Sequence, residues 1–90
     1  MFILKYSSRF KKDLKGYKYN KVVLAELIKV LDSLAKGDSL PSKNINHSLS
    51  GEFKNCFECH IRPDVLLVYK IKKEEITILL LRIGSHSEIF

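Results

Sequence analysis

Ninety residues make one domain, and a chain this short buries only roughly 60–65% of its unfolded surface. At 46% hydrophobic residues the composition is that of a globular protein, and no apolar run reaches the length of a membrane-spanning helix. Met1 to Tyr6 is too short, and in the wrong order, for a secretory signal, so the expectation is a cytoplasmic protein with no membrane partner.

The net charge of +6 is concentrated at one end. Lys5, Arg9, Lys11, Lys12, Lys15, Lys18 and Lys21 stand against Asp13 alone in residues 1 to 21, while the remaining nine basic and nine acidic side chains cancel. Such a segment suits a polyanion or an acidic protein partner, although a lysine-rich helix is as often a solvated face.

In chain order, Met1 to Tyr6 predicts a first strand. Ser7 or Ser8 can cap a helix on which Phe10, Leu14 and Tyr17 share one face, with Gly16 at its end. Asn20 caps a second helix with an apolar stripe of Leu24, Leu27, Ile28, Leu31, Leu34 and Ala35, stopped at Gly37. The two helices are joined closely and predict a hairpin on one sheet face. From Gly37 to about Glu52 no periodicity survives, which reads as a long loop of the functional or mobile kind.

Three strands follow. Phe53, Asn55, Phe57, Cys59 and Ile61 alternate with Lys54, Cys56, Glu58, His60 and Arg62. Pro63-Asp64 makes a turn, Val65 to Lys72 is an apolar strand, Lys73-Glu74 is a second turn, and Glu75 to Ile83 is apolar on both faces and hence central. Gly84 breaks it before a tail, Ser85 to Phe90. The expected architecture is α+β in the order β-α-α-β-β-β, with a mainly antiparallel four-stranded sheet carrying the helix hairpin on one face. The other face is left at least partly open.

Cys56 and Cys59 form a lone C-x-x-C. Zinc usually takes four ligands and no second pair exists. Residues three apart on a strand also point to opposite faces, so the pair reads as two inert thiols.

The histidines, His47, His60 and His86, lie in the long loop, at a strand end and in the tail. Asp64 follows His60 in the turn, and Arg82 lies four residues before His86. In a hairpin-built sheet these regions can converge at one edge. RNA cleavage by its own 2′-hydroxyl needs a base, an acid and a cation at the phosphorane. Histidine exchanges protons near neutral pH, and arginine offers a planar fork matched to phosphate. Each residue has a plainer reading as well. His47 can be an ordinary surface histidine, Asp64 a turn residue, Arg82 an ion pair with Glu58, and Phe90 a core plug. No two histidines have a close ligand spacing, which weighs against zinc.

The segments His47-Ser-Leu49-Ser-Gly51, His60-Ile-Arg-Pro63-Asp64-Val-Leu-Leu-Val-Tyr69 and Leu81-Arg82-Ile-Gly84-Ser-His86-Ser-Glu-Ile-Phe90 resemble the YafQ-type branch of the RelE/ParE superfamily, toxins of bacterial type II toxin–antitoxin pairs. Their order and spacing follow the family pattern over residues 47 to 90, and length and element order extend the likeness to the whole chain. The resemblance implies a RelE-like fold and an endoribonuclease that cleaves mRNA, usually on translating ribosomes, without a metal cofactor. It implies neutralisation by a cognate acidic antitoxin, through which alone operator DNA would be reached. Carried over, His47, His60, Asp64 and His86 form the acid–base group, Arg82 holds the scissile phosphate, and Phe90 positions a base or the tail. The family often places a tryptophan after the Pro-Asp pair; Val65 stands there, so one stacking contact is missing. Lys11, Lys12 and Lys15, remote in sequence from this chemistry, are expected to bind substrate or antitoxin. His47, as a loop residue, is expected to matter least. The runner-up is a binding module like the gyrase-inhibiting members of the superfamily, and a third reading is a degenerate toxin that acts only in co-repression.

Overall fold

The computed structural model describes residues 1–49 and 56–90. The predicted positions of Phe53, Lys54 and Asn55 on a strand, and Ser50 and Gly51 of the first motif, lie outside the described residues.

Strand β1 is Ile3–Tyr6. Ser7 then caps helix α1, Ser8–Lys15, by accepting from the Phe10 N–H at 3.0 Å. Asn20 does the same for α2, Lys21–Lys36, accepting from Val23 at 3.1 Å. Gly37 ends α2 with φ of 77°, a left-handed turn that glycine makes without strain. After a short 3-10 turn at Ser42–Asn44 come β2, His47–Ser48, and β3, Cys56–Arg62. Strands β4, Val65–Lys72, and β5, Thr77–Gly84, are followed by helix α3, His86–Ile89.

The sheet order is β1-β5-β4-β3-β2, with β1 parallel to β5 and every other pair antiparallel. The architecture is thus the expected α+β with two additions. A fifth, two-residue strand arises because His47 and Ser48 pair with Glu58 and Phe57, so the segment predicted as a structureless loop is partly sheet. The tail, expected to carry no element, is a helix.

Phe10 of α1 and Val23, Leu27, Val30 and Leu34 of α2 pack on Cys59, Ile61, Val65, Leu67, Tyr69, Ile78, Leu80 and Ile83. The predicted alternation in β3 holds: Phe57, Cys59 and Ile61 face the helices, and Cys56 belongs to a second cluster on the other side. The α2 stripe is rotated from its expected phase. Ile28 is 66% exposed, while Val23 and Val30, outside the predicted stripe, are buried. The helix has apolar residues on two adjacent stripes, and the sheet covers the one formed by Val23, Leu27, Val30 and Leu34.

The second face is partly covered. Ile89 of α3 packs with Cys56, Leu66 and Val68, joined by Leu49 and Leu81. No helix among the described residues is long and apolar enough to cross a membrane.

One irregularity bears on the site. Leu80 and Ile83 both join the helix-side core although they are three apart, and strict alternation would place them on opposite faces. The register shift resolves this: Tyr69 pairs with Leu80 and Val68 with Arg82, so Leu81 is the extra residue of a β-bulge. Bulges re-aim neighbouring side chains, and the neighbour here is Arg82.

Candidate active site

Cross-sheet register sets the geometry. His47 lies opposite Glu58, Glu58 opposite Val68, and Val68 opposite Arg82, which makes one row across four strands. The adjacent row runs from His60 through Leu66 to Gly84. His86 begins α3 two residues beyond Gly84, and α3 lies over this face through Ile89.

Directly opposed residues share a face. The His47 imidazole accordingly meets the Glu58 carboxylate, with Nε2 to Oε1 at 2.6 Å. The Glu58 side chain is nearly buried and that of His47 half-exposed. The pair forms because β2 exists, and β2 is held from two sides. Asn44, itself buried, donates from Nδ2 to the His60 carbonyl at 2.7 Å, and the Tyr69 hydroxyl donates to Asn46 Oδ1 at 2.7 Å. Between these anchors Ile45 has φ of 45°, a left-handed conformation that a β-branched residue adopts only under constraint. His47, expected in a loop, thus sits on a strand paired with β3.

Arg82 does not pair with Glu58. Its Nε and Nη2 donate to Asp13 Oδ2 and Oδ1 of α1 at 2.7 and 3.2 Å, and the Asp13 hydrogen bond holds the guanidinium pKa above its already high range. Arg82, Asp13, Tyr17 and Glu88 line a cleft of about 260 Å³. An adjoining cleft of about 440 Å³ shares Tyr17 and Glu88 and brings in Arg62, Asp64 and Ser85. Burial, and then the charges of Glu88, Asp64 and Asp13, push the Tyr17 hydroxyl pKa up, so it stays protonated. His60 lines a separate hollow with Lys43, Asn44 and Arg62. On α3 the His86 and Phe90 rings lie 5.1 Å apart, one helical turn from each other.

The fold thus gathers the predicted residues into two groups. His47, His60 and His86 with Phe90 stand on or around the second sheet face, and Arg82 and Asp64 occupy the joined clefts at the start of α3. Lys11, Lys12 and Lys15 are exposed on α1. They are remote in sequence but not in space, because Asp13 of the same helix holds Arg82. Sequence reasoning gave no site role to Asp13, Tyr17, Asn44, Asn46 or Glu58. A signal existed for Asp13, the lone acid among seven basic residues, but the contacts of the others depend on register. Among the described residues no group of three or more His, Cys, Asp or Glu side chains is arranged to hold a metal ion. Cys56 and Cys59 belong to opposite clusters, as expected.

A family model described as "Bacterial toxin of type II toxin-antitoxin system, YafQ" matches residues 3–90. A metal-bound toxin from Helicobacter pylori is 47% identical with a TM-score of 0.92, both chains being covered over 100% of their length. A copper-bound mutant toxin from the same organism is 39% identical, again with 100% of both chains covered, at a TM-score of 0.91. YafQ of E. coli, solved in complex with DinJ, is 25% identical with a TM-score of 0.87, covering 100% of this chain and 99% of that one. No curated protein matches the sequence significantly. With a family model that spans almost its whole length, the chain belongs to the YafQ family of toxins from bacterial type II toxin–antitoxin systems.

Proposed function

We propose that the chain is an endoribonuclease that cuts mRNA by attack of the 2′-hydroxyl, without a metal cofactor, and that an acidic antitoxin neutralises it. The observation that carries this reading is the row His47–Glu58–Val68–Arg82, which sets the backbone positions of a carboxylate-backed imidazole and of a phosphate-matching arginine at one level across four strands. In the reaction the 2′ oxygen bonds to phosphorus, the bond from phosphorus to the 5′ oxygen breaks, a base takes the 2′ proton, and an acid returns one to the leaving oxygen. Glu58 holds the His47 ring through Nε2, which leaves Nδ1 to exchange a proton. His86 on α3 and His60 in the neighbouring row are the other proton carriers of the set. Asp64 acts from the cleft beside Arg82, and Phe90, next to His86, stacks on a base. Relatives solved with an antitoxin partner support the partner class.

The test is cleavage of a defined mRNA by the purified chain, with and without ribosomes. Products should carry a 2′,3′-cyclic phosphate or 3′-phosphate and a 5′-hydroxyl. Relatives described as metal-bound and copper-bound make chelation the informative arm. Cleavage should persist in excess EDTA, and loss restored by an added metal overturns the metal-free mechanism. His86→Ala and Arg82→Ala should each slow cleavage by roughly 10²-fold or more with the fold intact. Wild-type rates in both would remove these residues from the chemistry.

A further inference from the structure

Strand β1 accompanies β5 only as far as Tyr6 opposite Leu80. Beyond that point the edge of β5 is closed by side chains of the next segment. Ser7 Oγ donates to the Leu81 carbonyl at 2.9 Å, and the Ile83 N–H donates to Asp13 Oδ2 at 3.2 Å. The same carboxylate grips Arg82 through Nε and Nη2. The side chains of the pair are only 12% and 17% exposed, so solvent screens them less than it does a surface ion pair. Arg9, 3.7 Å from Asp13 Oδ1 and largely exposed, leaves the fork in place.

A guanidinium has five N–H donors in one plane. Two are spent on Asp13, and the other three are directed away from it, along and beside the edge formed by the two terminal nitrogens. With Nε held, the plane cannot turn. We propose that Asp13 is a positioning residue: it clamps Arg82 from the Nε side, so that the terminal edge meets a phosphate in one fixed orientation, and its negative charge weakens the grip of Arg82 on a ground-state phosphate. This rests on the nuclease reading of Arg82. It carries a specific consequence, because only interactions stronger in the transition state than in the ground state raise the rate. Loosening the clamp should tighten substrate binding and slow the chemistry. A purely structural Asp13, pinning α1 to β5 through the Ile83 N–H, would instead lower thermal stability and carry activity down only with the folded fraction.

The experiment compares Asp13→Asn, Arg82→Ala and the double variant, each checked by thermal melting. Single-turnover cleavage of an RNA oligonucleotide gives the rate, and binding is read on the 2′-deoxy analogue, which has no attacking hydroxyl. Asp13→Asn should slow cleavage by roughly tenfold or more while binding the analogue several-fold more tightly. Neither effect should appear in the Arg82→Ala background, as for two residues acting through one contact. Equal rate losses in both backgrounds, or weaker binding of the analogue, overturns the proposal. Binding is read on a probe that cannot be cut. A wild-type protein that cleaves nothing therefore ends the nuclease reading alone, and the analogue still decides the clamp: tighter binding that depends on Arg82 sustains it, unchanged binding refutes it. Should Asp13→Asn not fold, Asp13→Glu keeps the charge and moves the fork by one methylene. It should slow cleavage with binding unchanged, and a wild-type rate in that variant overturns the proposal.

Discussion

Tyr69 does two things at once. Its ring is part of the helix-side core, 1% exposed, and its hydroxyl reaches Asn46 to fix the strand that carries His47. Burial, and then the charge of Cys59, push the hydroxyl pKa up to about 12. Burial, and then Glu58, raise the Cys59 thiol to about 12. In the unfolded chain these groups release their protons near 10.0 and 9.0. Above those values the folded state holds protons that the unfolded state has lost, so stability falls with rising pH. The contribution is whole below the unfolded values and disappears as pH climbs toward about 12. Thermal melts taken from about pH 8 to about pH 11 should show a declining Tm, and Tyr69→Phe combined with Cys59→Ala should flatten the decline. A slope unchanged in the double variant would assign the alkaline loss to other groups. At neutral pH, Tyr69→Phe should cost about 1 kcal/mol, the net worth of its hydrogen bond to Asn46.

Among the elements, α3 depends most on a single local device. Four residues are too few for a stable isolated helix. Ser85 accepts from the Glu88 N–H at 3.3 Å, and the Ser85 N–H donates to Glu88 Oε1 at 2.8 Å, a complete capping box. Donation to the Glu88 carboxyl from the Ser85 backbone N–H, and then from the Ser85 side chain, holds it below the usual carboxylate range. The box therefore stabilises the tail above that range and is lost as the pH falls through it. Ser85→Ala should cost about 1 kcal/mol and loosen the helix that carries His86 and Phe90. Amide exchange at Glu88 and Ile89 should quicken in the variant at neutral pH and in the wild type on acidification. Equal exchange in all three samples would show that packing of Ile89 alone holds the tail.

For the whole molecule, charge is divided between two sides of one helix. Lys11, Lys12 and Lys15 face solvent, while Asp13 and Phe10 face the sheet. Reversing the three lysines to glutamate together should weaken binding to RNA or to the antitoxin. It should also flatten the salt dependence, because phosphate contacts release counterions and antitoxin contacts are screened. Single-turnover cleavage at saturating RNA should stay near wild type, since Asp13 keeps its hold on Arg82. Binding unchanged for both partners would make the basic face a solvated surface. A matching fall in the rate would instead show that the charge on the outer face of α1 reaches Arg82.

Local pattern alone determined much of this protein. Ser7, Asn20 and Gly37 mark helix ends because capping is chemistry between residues a few positions apart. The alternation of Phe57, Cys59 and Ile61 against Cys56 and Glu58 marks a strand with one face on the helices, because the pleat has a period of two. The residue types in the second half pointed to the YafQ family, and the family model agrees. Only the tertiary structure decided which partner each charged group takes. Arg82 meets Asp13, 69 residues away in sequence, and not Glu58; His47 meets Glu58 because a two-residue strand forms where periodicity is silent. The phase of the α2 stripe and the bulge at Leu81 were likewise settled by packing. Side chains far apart in sequence meet through strand register and helix docking. Those are fixed by the summed burial of the whole core, which no local window of residues contains.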